Sequence, residues 1–428
     1  MKTFDGKALR KNGFLSLPRD ITLALFLAIR AVKRASLGTS LLIISIQILT
    51  VLNLLLVNGI LVGLIEGSET TYRLSYSGDI FISPLITRDR VENTEQIMND
   101  LRHDPDVTSI SRRYTASGFI ASVPARSNLK DVPNETGTTI VGLNPANENS
   151  VTKLDEQIIA GRWLEPTDTN GIVLGNRLLQ QYFDVPIERG ILRNVELGDK
   201  VTVSFGTSTR EFRVIGIVFS KIDPVARRAY ILDRQLLALT DKFNLNAGEI
   251  AISLQPGADP EAWVNRMKAK HYGSGASIKT ARESMGSFFS EVTGTFALIA
   301  NIIGGIALLV AAVTVFIITF INAVTRRKFI GILKGIGVTE RSIEIAYVLQ
   351  AVFYALVGIG VGVAMILVLD PYFDKNPIDF PFSDGILSVT TSGILIRSGI
   401  LLAVTFIAGY LPARRIVHGN TLDAILGR

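Results

Sequence analysis

Long uncharged runs dominate the hydrophobic pattern of this 428-residue chain. Four of them contain no Asp, Glu or Lys, and they lie at about residues 39–64, 296–321, 345–369 and 393–411; the first three also lack Arg. Each is long enough for the roughly 20 helical residues that cross a bilayer core. The first run is too long for the core of a signal peptide, and no small-residue cleavage site follows it. The pattern therefore predicts four transmembrane helices.

Between the first two runs the pattern changes to short alternating segments separated by Gly, Pro and Asn. In residues 200–205, apolar Val201, Val203 and Phe205 alternate with polar positions, and a second alternating segment follows the turn at 206–209. This arrangement predicts a β-hairpin. Further strands are predicted at 79–83, 118–123, 138–143 and 249–253, and helices at 92–102 and 260–271, the last capped by Asp259.

These patterns predict an α-helical membrane protein with four transmembrane helices and a large mixed α+β extracytoplasmic domain inserted between helices 1 and 2. The predicted parts are a cytoplasmic N-terminus with an interfacial elbow helix (1–38), transmembrane helix 1 (39–65), the extracytoplasmic domain with its stalk (66–291) and a second membrane domain (292–428). Residues 65–75 and 280–295 lack alternation. We expect them to form the stalk by extending spans one and two outward.

The distribution of basic residues predicts the orientation, because short Lys- and Arg-rich connections stay in the cytoplasm. Eight basic residues precede position 38, whereas the connection between spans three and four has four Asp and one Lys. The other basic residues beside the spans are Arg326, Arg327, Lys328, Lys334, Arg341, Arg414, Arg415 and Arg428. Both ends of the chain are therefore predicted to be cytoplasmic.

Composition narrows the possible functions. The net charge of +6 and the pI of about 9.4 come largely from residues beside the spans, so topology and anionic lipid account for them and nucleic-acid binding is not expected. Without cysteine there is no thiol catalysis. The chain has no phosphate-binding loop, and His103, His271 and His418 are far apart. We expect no catalytic, cofactor or metal site.

Small and polar residues within the spans indicate helix packing. Gly358 and Gly362, and Ala300 with Gly304, have the four-residue spacing that lets two helices approach closely, either within the chain or across a dimer seam. A separate polar set, Gln47, Thr50 and Asn58, falls on one face of the first span. It could form interhelical hydrogen bonds, which we expect, or line a substrate path. Arg397, near the start of the fourth span, is expected to extend toward the headgroups.

The segment RRKFIGILKGIGVTERSIEIAYVLQ, residues 326–350, is the most informative part of the chain. It predicts a short basic helix that breaks at Gly335 and Gly337, after which Thr339 caps a new helix that runs into span three. An ordinary basic connection between spans is the alternative interpretation.

Two of the predicted cytoplasmic segments resemble the FtsX-type domain of MacB-like and LolC/LolE-like ABC transporter permeases: GILKGIGVTERSI and LPARRIVHGNTLDAIL. The inserted domain is similar to the periplasmic core domain of that family in two stretches, IVGLNPANENSVTKLDEQIIAGRWLEPTDTNGIVLGNRLL and LGDKVTVSF through REFRVIGIV. The chain departs from the family at Phe329 and Gln350, where the family often has Glu.

The resemblance implies a permease subunit rather than an enzyme. The roughly 37 residues before the first span are too few for an ATPase, so ATP and Mg are expected on a separate cytoplasmic ABC ATPase. A second permease copy, identical or not, and membrane lipid are the other implied partners, and an adaptor in the periplasm is left open. The implied location is the bacterial inner membrane.

The resemblance also assigns a coupling loop at residues 326–344, which would dock into the ATPase. Its residues at matched positions are Arg326, Arg327, Lys328, Gly331, Lys334, Gly335, Gly337 and Glu340. ATP-driven movement would then pass through the spans to the external domain, to export or extract a substrate. An alternative from the same family is an FtsX-like regulatory complex that controls a cell-wall hydrolase or acts as a sensor. The substrate and the direction of movement stay open.

Overall fold

The computed structural model describes residues 17–123, 133–183, 190–240, 245–270, 275–376 and 387–418. Predictions that fall on His271, Arg428 and the basic residues before position 17 lie outside these ranges. The described residues form two compact units, whose boundaries lie after Leu64 and after Glu291. We call residues 65–291 the inserted domain and the described residues on either side of it the membrane unit.

The helices of the described residues include four that are long and apolar enough to cross a membrane, as the sequence predicts. Those four are α2, α9, α11 and α12. In chain order the helices are α1 (Leu17–Lys33), α2 (Leu37–Tyr72), α3 (Thr94–Arg102), α4 (Pro145–Val151), α5 (Asp223–Ala226), α6 (Asp233–Leu239), α7 (Pro260–Ala269), α8 (Ala281–Ser284), α9 (Gly286–Thr325), α10 (Arg327–Gly335), α11 (Glu340–Lys375) and α12 (Thr391–Val417).

The strands of the inserted domain form one mixed sheet. They are β1 (Ile80–Ser83), β2 (Val107–Ser122), β3 (Glu135–Leu143), β4 (Ile158–Gly161), β5 (Gly171–Gly175), β6 (Lys200–Phe205), β7 (Ser208–Val218), β8 (Arg228–Leu232), β9 (Glu249–Leu254) and β10 (Ser277–Thr280). With helices packed on this sheet, the inserted domain is mixed α and β, as predicted.

Six strands close a ring of pairings in the order β2, β3, β8, β5, β7, β6 and back to β2. Fully buried side chains from these strands, such as Ile140, Val203 and Phe212, form one apolar cluster. Strand β2 has 16 residues and extends beyond the ring. Its first half pairs with β9, which leads through β1 to β10, and helices α3 and α7 cover this second sheet region with Ile97 and Trp263.

Several local predictions are confirmed. The β6–β7 hairpin closes with Phe205 opposite Ser208, and the Asp259 carboxylate accepts hydrogen bonds from the N–H groups of Glu261 and Ala262 at the start of α7. The prediction that residues 280–295 extend the second span outward is partly wrong. Thr280 ends β10 and caps α8 through a mutual hydrogen-bond pair with Glu283. Gly286, at φ +85°, then separates α8 from α9.

Close backbone approach joins α2 and α11 in the membrane unit. A Cβ at Gly358 would overlap the Cβ of Gln47, and one at Gly362 would lie 2.9 Å from the Cγ1 of Val51. On α9, a Cβ at Gly304 would lie 3.2 Å from Leu54 of α2. These three glycines therefore lie at contacts within the chain, which is the first of the two alternatives that the sequence left open.

The expected interhelical hydrogen bonds are wrong for two of the polar residues of span one. Thr50 donates to the carbonyl of Ile46 in its own helix, 2.8 Å away, as hydroxyls in helices often do. Gln47 is fully buried against Gly358, and its amide has no hydrogen-bond partner among the described residues. Asn58 lines a separate cavity with Asn301 and Arg397.

Candidate functional site

Helix α10 ends, and α11 begins, where the sequence predicts a helix break and a new N-cap. Helix α10 ends at Gly335, and Gly337 adopts a φ of +97°, a conformation that L side chains rarely adopt. Thr339 then accepts a hydrogen bond from the N–H of Ser342 and caps α11. We call α10, the parts of α9, α11 and α12 that contact it, and the part of α1 that contacts the start of α11 the α10 junction.

The inner face of α10 is buried against its neighbours. Ile330, 3% exposed, packs in an apolar cluster with Ala323 of α9, Ile343 of α11 and Val417 of α12. Gly331, the next residue of α10, is also buried. Because three different helices contribute to this cluster, a movement of α10 would be transmitted to all of them.

Lys334 fixes α10 to both neighbouring helices. Its Nζ donates to the carbonyl of Val417 at 2.9 Å and lies 2.7 Å from the carboxylate of Glu340. Its side chain is only 11% exposed. Lys334 and Glu340, both predicted to dock an ATPase, are therefore brought together by the fold as a contact within the junction.

Asp20 of α1 completes the junction, although no pattern in the sequence singles it out. Its Oδ1 accepts hydrogen bonds from the hydroxyls of Thr339 at 2.8 Å and Ser342 at 2.9 Å. Ala24 and Ala28, one and two turns further along α1, are buried against Ala346 of α11. The elbow helix is thereby attached to the cap of the third span.

The outer face of α10 exposes large apolar side chains. Phe329, Ile332 and Ile336 are 55%, 48% and 73% exposed, at helical positions i, i+3 and i+7. A clustered apolar surface of this kind is typical of a contact site for another protein. The sequence interpretation concentrated on basic residues and glycines and missed this face, although the three-residue spacing was visible.

The other predicted coupling residues surround that face. Lys328 is exposed, and Arg326 and Arg327 are half-buried. Gly335 and Gly337 are exposed, with open space where a Cβ would lie. Gly337 is thus explained by its backbone conformation. For Gly335 the structure gives no such requirement.

A second cluster lies in the inserted domain, where the first long helix ends. Helix α2 is followed by a π-helical turn, Arg73–Ser77, that contains Tyr76. The hydroxyl of Tyr76 donates to Glu249 Oε1 at 2.9 Å and accepts from Arg228 Nη2 at 3.1 Å. The guanidinium carbons of Arg113 and Arg228 lie 5.3 and 5.0 Å from the centre of its ring.

These contacts belong to a buried charge network, the Tyr76 cluster, made of Tyr76, Arg113, Glu148, Arg228 and Glu249. Arg113 binds Glu148 through two hydrogen bonds of 2.6 and 2.9 Å, and Arg228 binds Glu249 at 2.8 and 2.9 Å. A further approach of 3.7 Å, between Arg113 and Glu249, joins the two pairs.

Burial alone would raise the pKa of both carboxyl groups. The charge and hydrogen bonds of Arg113 nevertheless lower the pKa of Glu148, helped by hydroxyl donors. Arg228 lowers the pKa of Glu249 in the same way. Both carboxylates are therefore charged and strongly held. Because these residues come from β2, β8, β9 and the α4 helix, the network ties the end of α2 to the sheet.

Further contacts tie the end of α2 to the segment that leads into α9. The hydroxyl of Tyr72 donates to the carbonyl of Ser284 at 3.1 Å, and Arg282 forms an ion pair of 2.7 Å with Glu69. Both partners lie on α8, directly before α9. The two chain segments that enter and leave the inserted domain are therefore bonded to each other.

Four membrane-crossing helices, with a mixed α/β domain between the first and the second, define a multi-pass membrane protein with one large folded insertion. Residues 42–270 match the family described as MacB-like periplasmic core domain, and residues 301–421 match FtsX-like permease C-terminal. This chain therefore belongs to the ABC transporter permeases that combine a MacB-like periplasmic core domain with an FtsX-like permease domain.

Individual relatives are distant. An uncharacterized ABC transporter permease of Methanocaldococcus jannaschii is 26% identical over 281 residues, which is 62% of this chain and 65% of the relative. The macrolide export ATP-binding/permease protein MacB of Neisseria meningitidis serogroup A is 28% identical over 37% of this chain and 24% of its own length. The matches thus span about two-thirds or less of each relative. The solved periplasmic region of MacB from Actinobacillus actinomycetemcomitans has a TM-score of 0.34 at 15% identity, over 49% of this chain and 92% of that one.

Proposed function

We propose that this chain is a transmembrane subunit that transmits the motion of a separate ABC ATPase to its inserted domain. In this proposal both chain ends and α10 face the cytoplasm, and the inserted domain lies outside the membrane. The basic residues beside the first span, α10 and the fourth span support this orientation, because such residues accumulate on the cytoplasmic side. ATP and Mg bind to the partner.

The α10 junction is the input, and its geometry is the observation that carries the proposal. Its outer face, with Phe329, Ile332 and Ile336, is about half exposed or more among the described residues and suits a hydrophobic groove of a partner protein. Its inner face is fixed by Lys334 and by the apolar cluster around Ile330. A force applied to the outer face would therefore move the spans instead of bending the loop.

The Tyr76 cluster is the output. Helix α2 continues without interruption from Leu37 to Tyr72, so a shift along it reaches the π-helical turn directly. There the buried charges attach Tyr76 to Glu249 of β9 and Arg228 of β8, two strands that β2 and β3 separate in the sheet. Buried, fully paired networks are rigid, and they transmit displacement better than an exposed loop.

The proposed work is export of a substrate, or its extraction from the membrane, by two permease copies that act with two ATPases. The Neisseria relative is by name a macrolide exporter. For this chain we propose transport without assigning a substrate. An adaptor outside the membrane is compatible with the exposed surface of the inserted domain.

Co-expression with the ABC ATPases of the source organism tests the proposal. The tagged chain is purified in lipid, and co-elution and ATP turnover are measured for the wild type and for Ile336→Asp. Ile336 is 73% exposed, so the substitution should leave the fold intact and remove the contact. Leu245→Asp is the matched control, because Leu245 is 50% exposed in the inserted domain.

We expect the wild type and the control to retain an ATPase and Ile336→Asp to lose it. If no ATPase binds, or if all three proteins bind equally well, the coupling role of α10 is wrong. Co-elution of a cell-wall hydrolase, with ATP-dependent hydrolysis of cell wall and no substrate transport, would support the regulatory alternative.

A further inference from the structure

A cavity of about 390 Å³ lies among α1, α10 and α11, entirely within the membrane unit. Its volume falls in the range of small-molecule binding sites. The inner wall is apolar, since Ile330 of α10 and Ala346 of α11 are buried there. Three arginines complete the lining: Arg30, Arg34 and Arg326.

The cavity has an uncompensated positive charge. No Asp or Glu lines it, and none of the three arginines forms an ion pair in the part of the chain that the structure describes. Arg30 lies in the last turn of α1, and Arg34, the residue directly after α1, donates its N–H to the carbonyl of Arg30 at 3.1 Å, so two like charges lie one turn apart. Arg326 is the residue immediately before α10, and the N-terminus of α10 has no side-chain cap. All of these features favour an anion.

The surroundings favour an amphiphilic anion over a free one. Helix α1 exposes Leu23, Phe26 and Ile29 on its outer surface, as a helix in the plane of the membrane interface does. Phe329, an exposed apolar residue, also lines the cavity. A ligand that places a phosphate among the arginines and its hydrocarbon along these apolar residues would satisfy both parts of the site.

We infer that this cavity binds one anionic phospholipid of the cytoplasmic leaflet. The inference rests on the proposed orientation, which places α10 at the cytoplasmic surface, and basic pockets between helices on that side suit acidic headgroups. Because the lipid contacts α1, Phe329 and Ile330 together, its binding holds α10 against α1 and α11. The lipid thereby adds a contact among α1, α10 and α11 to those that Lys334 and Asp20 already make in the α10 junction.

Native mass spectrometry of the full chain, purified without any ATPase, tests the site. The chain is exposed to phosphatidylglycerol, to phosphatidylcholine and to inorganic phosphate. The test variant is Arg30→Gln with Arg34→Gln, and the control is Arg414→Gln with Arg415→Gln. The control removes the same charge from two exposed residues at the end of α12. Thermal melts establish that each variant is folded.

We expect one tightly held phosphatidylglycerol per wild-type chain, preferred over phosphatidylcholine and not displaced by phosphate. The affinity for phosphatidylglycerol should fall about thirtyfold in the variant with Arg30→Gln and Arg34→Gln, since each basic residue near an acidic headgroup contributes about 1 kcal/mol. The affinity of the control variant should equal that of the wild type. Equal losses in the two variants would show a diffuse basic surface and overturn the inference. If inorganic phosphate displaces the lipid, the cavity is a site for a free anion and the lipid assignment is wrong.

A third outcome concerns a protein occupant. If adding an ATPase expels the lipid in proportion to complex formation, the cavity is part of the protein interface and the lipid site is wrong. Because lipid binding is measured on the chain alone, failure of the lipid site would leave the ATPase association test of the proposed function unaffected.

Discussion

The Nζ of Lys334 donates a hydrogen bond to the carbonyl oxygen of Val417, 83 residues further along the chain, at 2.9 Å. The bond satisfies a carbonyl in the last turn of α12 while it holds α10 in place. The same ammonium pairs with Glu340 in the first turn of α11. One side chain thus joins the three helices that surround the proposed coupling surface.

Substituting Lys334 by Met should loosen the α10 junction. The side chain is mostly buried, so losing the hydrogen bond and the ion pair should cost about 1–3 kcal/mol. We expect a lower melting temperature in detergent and weaker ATPase stimulation. Lys328→Met, at an exposed position of the same helix, should leave the melting temperature unchanged. Equal melting temperatures for the two variants would contradict the positioning role of Lys334.

The close contact of α2 and α11 predicts the effect of a single methyl group. Gly358→Ala places a Cβ into the Cβ of Gln47, so the helices must separate at a cost of about 1–3 kcal/mol. Gly360→Ala, two residues further along the same helix, meets no atom within 4 Å and should be neutral or slightly stabilising. A thermal melt of the purified chain distinguishes the two. A stable Gly358→Ala variant would mean that this face is not packed within the chain.

The buried ion pair of the inserted domain should be far more sensitive than an exposed one. Glu148→Gln leaves Arg113 buried without its main counter-charge, which costs about 3–5 kcal/mol. Glu211→Gln breaks an ion pair with Lys200 in which both side chains are more than half exposed, and it should change little. Both tryptophans of the chain, Trp163 and Trp263, lie in the inserted domain, so their fluorescence reports its unfolding selectively.

Acid should destabilise the inserted domain through the same network. The pKa of Glu148 and of Glu249 is lowered in the folded state, whereas an unfolded Glu has a pKa of about 4.3. Their contribution is therefore fully present above that value and is lost as the pH falls through the lower, folded-state pKa. Tryptophan-monitored melts should show this loss below about pH 4.

A matched variant isolates the carboxylate of this pair. In Arg113→Met with Glu148→Met the ion pair is absent, so the melting temperature should fall less between pH 6 and pH 3 than in the wild type. A variant with the same acid sensitivity as the wild type would assign the effect to other groups.

The sequence predicts those parts of the fold whose physical signal is local. A bilayer demands long uncharged helices, so four spans are visible directly, and alternation exposes the β6–β7 hairpin. Strand β5, GIVLG, is buried along its whole length and has no alternation, which is why it was missed. Strand β10, which ends at Thr280 where the predicted stalk begins, was missed because four residues are too few for a clear period.

The candidate sites depend on contacts that sequence distance conceals. Arg113, Glu148 and Glu249 are ordinary charged residues in sequence, and only the packing of β2 beside β9 and α4 brings them together. The sequence did predict the segment that contains α10. It could not show that Lys334 faces inward while Ile336 faces outward, because the contact with Val417 is set by tertiary structure.

Hydrogen exchange at the π-helical turn Arg73–Ser77 tests the central claim most directly. The complete complex with its ATPase is compared in lipid with and without ATP, for the wild type and for Ile336→Asp. The account predicts that ATP changes the exchange of this turn in the wild type, because motion received at α10 reaches Tyr76, and that the variant shows no change. Identical exchange with and without ATP in a wild-type complex that hydrolyses ATP would contradict it.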